Sequence, residues 1–128
     1  MSDYTASQLI AVERSRALEQ QIKERAEHLG GSPDFSDDLW LTFYVSGQPE
    51  RLAALADKLA EAGWVNVGGS DSGFIYPKKA VRNNSQAMVQ LAFLTEELCL
   101  HHGVEILTVD ADTSPDVEQS KFVTLFQA

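Results

Sequence analysis

Residues 39–45 read LWLTFYV, and this stretch decides the fold class because its side chains alternate in character. One side of an extended backbone carries four apolar residues, Leu39, Leu41, Phe43 and Val45. The other side carries the amphipathic set Trp40, Thr42 and Tyr44. A period of two in β-forming residues predicts a strand with one buried face and a second, partly covered face.

Helical patterns flank this strand on both sides. The segment from about residue 6 to residue 29 carries apolar residues at helical spacing and ends at two glycines, which cap helices cheaply. A second helix begins near Pro49, which suits a first helical turn, and ends before Gly63. A third follows the cap residues 83–85 and runs to about His102, and its wide apolar surface predicts that it is well buried.

Shorter extended segments complete the pattern. Residues 64–67 and 74–76 surround the glycine-rich loop 68–73 and predict a hairpin. Residues 104–109 predict a further strand because β-branched residues dominate them. Residues 122–126 are compatible with an added edge strand or with a short helix, and the pattern leaves both open.

The order of elements is a helix, then βαββαβ, then a tail. This order predicts an α+β, ferredoxin-like domain with a four-stranded antiparallel sheet and both later helices on one face. We expect residues 1–31 to form the N-terminal helix and residues 32–128 the ferredoxin-like domain, within one compact unit. The apolar stripe of the N-terminal helix must dock somewhere, either on this domain or on a second copy in a homodimer.

Charge restricts the class of partner. The 128 residues include 19 acidic and 10 basic ones, for a formal net charge of −9. Nucleic-acid binders gain affinity from lysine and arginine on phosphates, so direct binding of DNA or RNA is disfavoured, as is docking on an anionic membrane. A protein partner with a basic surface is favoured, because complementary fields speed encounter.

The location follows from cysteine usage and hydropathy. Cys99 is the only cysteine, which fits a reducing compartment. The start of the chain shows no secretory pattern, and no stretch approaches the roughly 20 apolar residues of a spanning helix. We therefore expect a cytoplasmic protein.

No residue set predicts catalysis, a cofactor or a metal. The loop 68–73 lacks the following helix and the lysine of a phosphate loop, so a hairpin loop is favoured over a ligand loop. His101 and His102 are adjacent and diverge on a helix, which favours a capping role over metal binding. Cys99 sits late in an apolar helix and predicts a core thiol. We expect a protein that is not an enzyme.

Three further groups have two interpretations each. Asp110 and Asp112 predict a solvated turn, with a weak cation site as the alternative. The basic cluster in residues 78–82 predicts a solvated loop, with local anion contact as the alternative. Trp40 and Tyr44 share a strand face, and we expect them to pack under the N-terminal helix or to form a binding surface.

The chain resembles the regulator of ribonuclease activity B family in the order of its turns and caps. The resemblance lies in the linker 30–34 after a charged helix, in Gly63 and Trp64 at the end of the second helix, in residues 83–85 before the third, and in the Val104–Glu105 strand start. Members of that family are small acidic proteins that inhibit ribonuclease E by binding it. The resemblance implies a regulator that acts on a ribonuclease.

We therefore expect an acidic protein-binding regulator that occludes a basic partner surface. The alternatives are a small-ligand-binding or sensory domain and an immunity-type protein that neutralises a toxin. The residues expected at the partner surface are Asp34, Asp37, Asp38, Trp40, Tyr44, Asp110 and Asp112.

Overall fold

The computed structural model describes residues 6–29, 38–114 and 121–128. The described helices are α1 (Ala6–Leu29), α2 (Pro49–Glu61) and α3 (Ser85–His102). The described strands are β1 (Asp38–Ser46), β2 (Phe74–Ile75), β3 (Lys78–Arg82), β4 (Glu105–Asp112) and β5 (Phe122–Gln127). All three predicted helices are confirmed, and the capping residues, proline and glycines located their ends to within two residues.

The strands form one antiparallel sheet with β1 near its centre. β2 and β3 both pair with one side of β1, while β4 pairs with the other side and β5 pairs with β4. The α+β class and the antiparallel sheet are confirmed. The count of four strands is wrong, because β5 adds an edge and settles the open choice for residues 122–126 in favour of a strand.

The predicted strand over residues 64–67 is wrong. Val65 makes only an isolated antiparallel bridge to Lys78. Asn66 has a φ of +57°, which takes the chain out of extended conformation in the middle of this segment. The predicted hairpin is therefore wrong as well, and β2 pairs with β1 instead. The glycine-rich loop 68–73, which precedes β2, contains a 3₁₀ turn, Ser70–Ser72.

Residues 78–82 form β3, so the predicted solvated loop is wrong. β3 pairs with β1 over five residues, from Lys78 opposite Thr42 to Arg82 opposite Asp38. The backbone of β1 needs a hydrogen-bonding neighbour on this side, and the N–H of Phe43 also donates to the carbonyl of Pro77 at 3.0 Å. Lys78 is only 4% exposed. Its ammonium group can be buried because it pairs with the carboxylate of Asp112, 34 residues away in sequence.

β4 runs on through Asp112, so the predicted solvated turn at Asp110 and Asp112 is also wrong. Both aspartates are buried. Each carboxylate has hydroxyl or ammonium donors from neighbouring strands, which offset the cost of burial.

The hydrophobic core lies between the helices and one face of the sheet. Leu39, Leu41, Phe43 and Val45 of β1 are fully buried there, which confirms the alternation of this strand. Eleven buried helix residues belong to the same cluster: Leu18, Ile22, Ala26, Leu29, Leu52, Leu55, Ala56, Leu59, Met88, Ala92 and Cys99. α1 packs mainly on α3 and also on β5. The three helices therefore form one layer, and α1 does not cover Trp40 and Tyr44.

α3 is less buried than its composition predicted. Phe93, Leu94, Leu98 and Leu100 are 36–50% exposed. They flank the buried side of the helix, which Met88 and Cys99 occupy, and the neighbouring helices cover them only in part.

Candidate partner-binding surface

The sheet face opposite the helices is built by the register of its strands. Cross-strand partners share a face, so Thr42 lies beside both Lys78 and Asp110, and Trp40 lies beside Asp112. We call this surface the open face. Its strand residues include Asp38, Trp40, Thr42, Tyr44, Phe74, Lys78, Arg82, Glu105, Asp110, Asp112 and Phe122. None of the described helices packs on it.

Five of the seven residues expected at a partner surface lie on the open face. They are Asp38, Trp40, Tyr44, Asp110 and Asp112. The other two, Asp34 and Asp37, lie outside the described residues. The alternation of β1 was the signal that placed Trp40 and Tyr44 together. Asp110 and Asp112 join them only through the pairing of β4 with β1.

A buried polar network stands at the centre of the open face. The ammonium of Lys78 donates to Thr42 Oγ1 at 2.8 Å and to Asp112 Oδ2 at 3.2 Å. The Thr42 hydroxyl donates to the same carboxylate oxygen. A lysine buried to this degree is stable only when its charge is paired and its donors are satisfied. Thr42 is not among the residues expected at the partner surface, because no local pattern distinguishes it from an ordinary strand residue.

Asp110 lies beside this network and is held by neutral donors. Thr124 Oγ1 donates to Asp110 Oδ1 at 2.9 Å. Burial, which is the larger cause, and a hydrogen bond with Asp110 raise the pKa of Tyr44 to about 12. The Tyr44 hydroxyl therefore stays protonated at neutral pH and donates a hydrogen bond to the Asp110 carboxylate.

Aromatic rings surround the polar centre. The ring of Tyr44 meets that of Tyr76 edge to face, with centroids 5.2 Å apart. Phe74 and Tyr76 are each 42% exposed, and Phe122 is 64% exposed. Trp40 and Tyr44 are half-buried. Exposed aromatic groups at this density are typical of surfaces that bind other molecules.

A cavity of about 450 Å³ opens on this face. Its lining consists of Thr42, Tyr44, Asn66, Tyr76, Lys78, Asp112 and Phe122. Asn66, whose positive φ ended the predicted strand, turns its side chain toward this region and donates to the carbonyl of Tyr76 at 3.0 Å. The cavity thus combines aromatic walls with a charged, hydrogen-bonded floor.

The open face carries more negative than positive charge. Its strand residues include four carboxylates, Asp38, Glu105, Asp110 and Asp112, and two cations, Lys78 and Arg82. The outermost pair, Asp38 with Arg82, joins exposed side chains 3.6 Å apart and contributes little to stability. A different groove, of about 610 Å³, runs along α1 and carries exposed side chains of both signs, among them Arg16, Glu19 and Lys23.

Cys99, His101 and His102, the remaining candidates for chemistry, all lie in α3. Cys99 is buried in the core, as predicted, and burial with a smaller effect of Glu96 raises the pKa of its thiol to about 12. His101 and His102 form the last turn of α3, before Gly103 takes the left-handed conformation. Among the described residues, no group of three or more histidine, cysteine, aspartate or glutamate side chains could hold a metal ion.

Comparison with protein-family models, with curated proteins and with solved structures finds no significant match to this chain. The resemblance to the ribonuclease regulators therefore stays a prediction. Within the described part of the chain, no helix is both long and apolar enough to cross a membrane.

Proposed function

We propose that this chain is an acidic protein-binding regulator, and that it occludes a basic surface of its partner with the open face of its sheet. One observation carries the proposal: five of the seven residues expected at a partner surface from sequence lie on the one sheet face that no described helix covers. Exposed aromatic rings at Phe74, Tyr76 and Phe122 supply contact area on that face.

The ferredoxin-like fold belongs to the same proposal. β1 lies between β3 and β4, and the Val65 bridge stands beyond β3, where the remaining strand of a βαββαβ sheet would lie. On this view residues 64–67 are a reduced edge strand, and β5 is an addition beside β4. The free, buried thiol of Cys99 fits the cytoplasmic location that we also propose.

The expected mechanism is electrostatic attraction followed by aromatic packing. A net charge of −9 steers the protein toward a basic surface and raises the rate of encounter. A ribonuclease surface that binds RNA is basic, because it must contact phosphates. Covering such a surface with an acidic protein excludes the RNA. The homodimer is not part of this proposal, since Leu18, Ile22 and Ala26 of α1 are buried within the chain itself.

A matched pair of substitutions tests the surface. Tyr76 on the open face and Phe93 on α3 are both aromatic and both 42% exposed. With purified ribonuclease E as the partner, we expect Tyr76→Ala to weaken the complex about tenfold or more, as truncation of an interface anchor does. We expect Phe93→Ala to leave the affinity unchanged. Isothermal titration calorimetry measures both.

Two results would count against this proposal. If wild-type protein does not bind ribonuclease E, that enzyme is not the partner. If the Tyr76 and Phe93 substitutions have equal effects on a complex that does form, the interface is not the open face.

The cavity on the open face favours a second candidate, a small-ligand-binding domain. Aromatic walls around a few fixed polar groups are typical of ligand pockets. A small ligand that binds only the folded protein raises its melting temperature without any protein partner. A thermal-shift screen of metabolites therefore separates this candidate from the regulator.

A further inference from the structure

Two carboxylates but one cation lie at or next to the floor of the cavity. Asp112 and Lys78 line the cavity, and Asp110 lies beside Thr42, just outside the lining. Lys78 pairs with Asp112. Asp110 accepts hydrogen bonds from the hydroxyls of Thr124 and Tyr44, which carry no charge. Among the described side chains that meet here, one negative charge is therefore compensated by dipoles alone. Carboxylates in a partly desolvated site attract a cation more strongly than they do in water.

The walls favour a flat cation over a compact one. Tyr44, Tyr76 and Phe122 offer aromatic surface beside the carboxylates, and Tyr76 and Phe122 remain exposed where the cavity opens. A guanidinium group is planar, stacks on aromatic rings and is weakly hydrated, whereas an ammonium group is strongly hydrated. An anionic ligand is disfavoured, because it would meet Asp112 and lie close to the buried Asp110 as well as to Lys78.

We propose that this cavity receives an arginine side chain from the partner protein. The guanidinium stacks on Tyr76 and pairs with the Asp112 carboxylate at the cavity floor. This inference rests on the proposed function, since it supplies an anchor residue at the middle of the open face. Arginine is among the residues that most often carry the energy of an interface from a central pocket.

Small arginine analogues test the cavity without the partner. Nitrogen-15-labelled protein is titrated with N-acetyl-arginine amide, with N-acetyl-lysine amide and with N-acetyl-citrulline amide, which keeps the shape of arginine but lacks its charge. We expect arginine amide to shift the amide resonances of Thr42, Tyr76 and Asp112. Lysine amide should bind more weakly, and citrulline amide should shift none of these resonances.

Substitutions locate the binding. Tyr76→Leu should weaken arginine amide binding by about 3- to 30-fold, which is the range of a cation–π contact. Phe122→Ala, at the most exposed of the aromatic wall residues, should weaken it as well. Phe93→Ala on α3 is the matched control and should not. Circular dichroism shows that each variant is folded.

Equal shifts with citrulline amide and arginine amide would overturn the inference, because the site would not select a cation. Shifts spread along α1 and α2 would also overturn it, because they would report the general acidity of the surface. The two proposals fail separately. If Tyr76→Ala weakens the ribonuclease complex but no arginine analogue binds, the open face is still the interface and the arginine anchor is wrong.

Discussion

Lys78 is the residue that connects the fold to the candidate site. Its backbone belongs to β3, and its ammonium reaches across β1 through Thr42 to Asp112 on β4. Three strands thus converge on one buried charge pair. A lysine after a proline predicts an exposed loop, because nothing local in the sequence indicates the carboxylate that pairs with it.

Removing the carboxylate of this pair should destabilise the protein severely. We expect Asp112→Ala to lower the free energy of unfolding by about 3–5 kcal/mol, because it leaves the Lys78 ammonium buried without a counter-charge. Asp38→Ala is the matched control, since the Asp38–Arg82 pair is exposed and should cost less than about 1 kcal/mol. Urea denaturation measures both. Similar losses for the two variants would mean that the Lys78 site is hydrated.

Tyr44 should make the stability of the protein depend on pH in the alkaline range. Its folded pKa of about 12 lies above the ordinary value of 10.0, so the protonated phenol is favoured by folding. This contribution is complete below pH 10 and is lost as the pH rises from 10 to 12. We expect one tyrosine to stay protonated above pH 11 when absorbance at 295 nm is followed. Tyr44→Phe should remove that late transition, and its persistence would assign it to another tyrosine.

Among the elements, α3 shows how local chemistry fixes a boundary. The side chain of Asn84 accepts a hydrogen bond from the N–H of Ala87 at 2.7 Å, and Gly103 ends the helix with a φ of +68°. Both signals are local and were readable from the sequence. These two signals explain why the start and the end of this helix could be predicted from the sequence.

Loss of that cap should be measurable. We expect Asn84→Ala to lower the free energy of unfolding by about 1 kcal/mol, because the Ala87 N–H loses its acceptor at the helix start. Asn84→Ser should retain most of the stability. Gln86→Ala, at an exposed position in the same turn, is the control and should be neutral or slightly stabilising. Thermal unfolding monitored by circular dichroism gives the comparison, and an equal loss at residue 86 would argue against a capping effect.

The strands were harder to predict than the helices for one physical reason. The alternation of apolar and amphipathic residues that marks β1 lies within its own sequence, and so its bounds were predicted to within one residue. β3 and the end of β4 carry Lys78, Asp110 and Asp112, which read as solvated because their partners are remote in sequence. Trp40 and Tyr44 were predicted to share a surface because they alternate on β1. The buried pair Lys78–Asp112 at the cavity floor could not be predicted, because only the pairing of β3 and β4 with β1 brings these residues together.

At the scale of the whole molecule, net charge and aromatic contact should affect different rate constants: charge should affect association, and aromatic contact should affect dissociation. A net charge of −9 acts over about one Debye length, roughly 10 Å at 0.1 M salt, and mainly affects the rate of association. Raising the salt from 50 to 500 mM should slow association with ribonuclease E about tenfold or more. Tyr76→Ala should instead speed dissociation and leave the salt dependence unchanged. Surface plasmon resonance distinguishes the two, and a salt-independent association rate would contradict the role given to the charge.

The contact between α1 and β5 also has a consequence for synthesis of the chain. Arg25 of α1 donates to the backbone carbonyl of Thr124 at 3.2 Å, and these residues are 99 positions apart. At translation rates of about 5–20 residues per second, α1 is made roughly 5–20 s before the strand it docks against. During that interval the apolar stripe of the nascent helix, with Leu18 and Ile22, lacks part of its final cover. We therefore expect chaperones on the ribosome to bind this stripe before β5 is made.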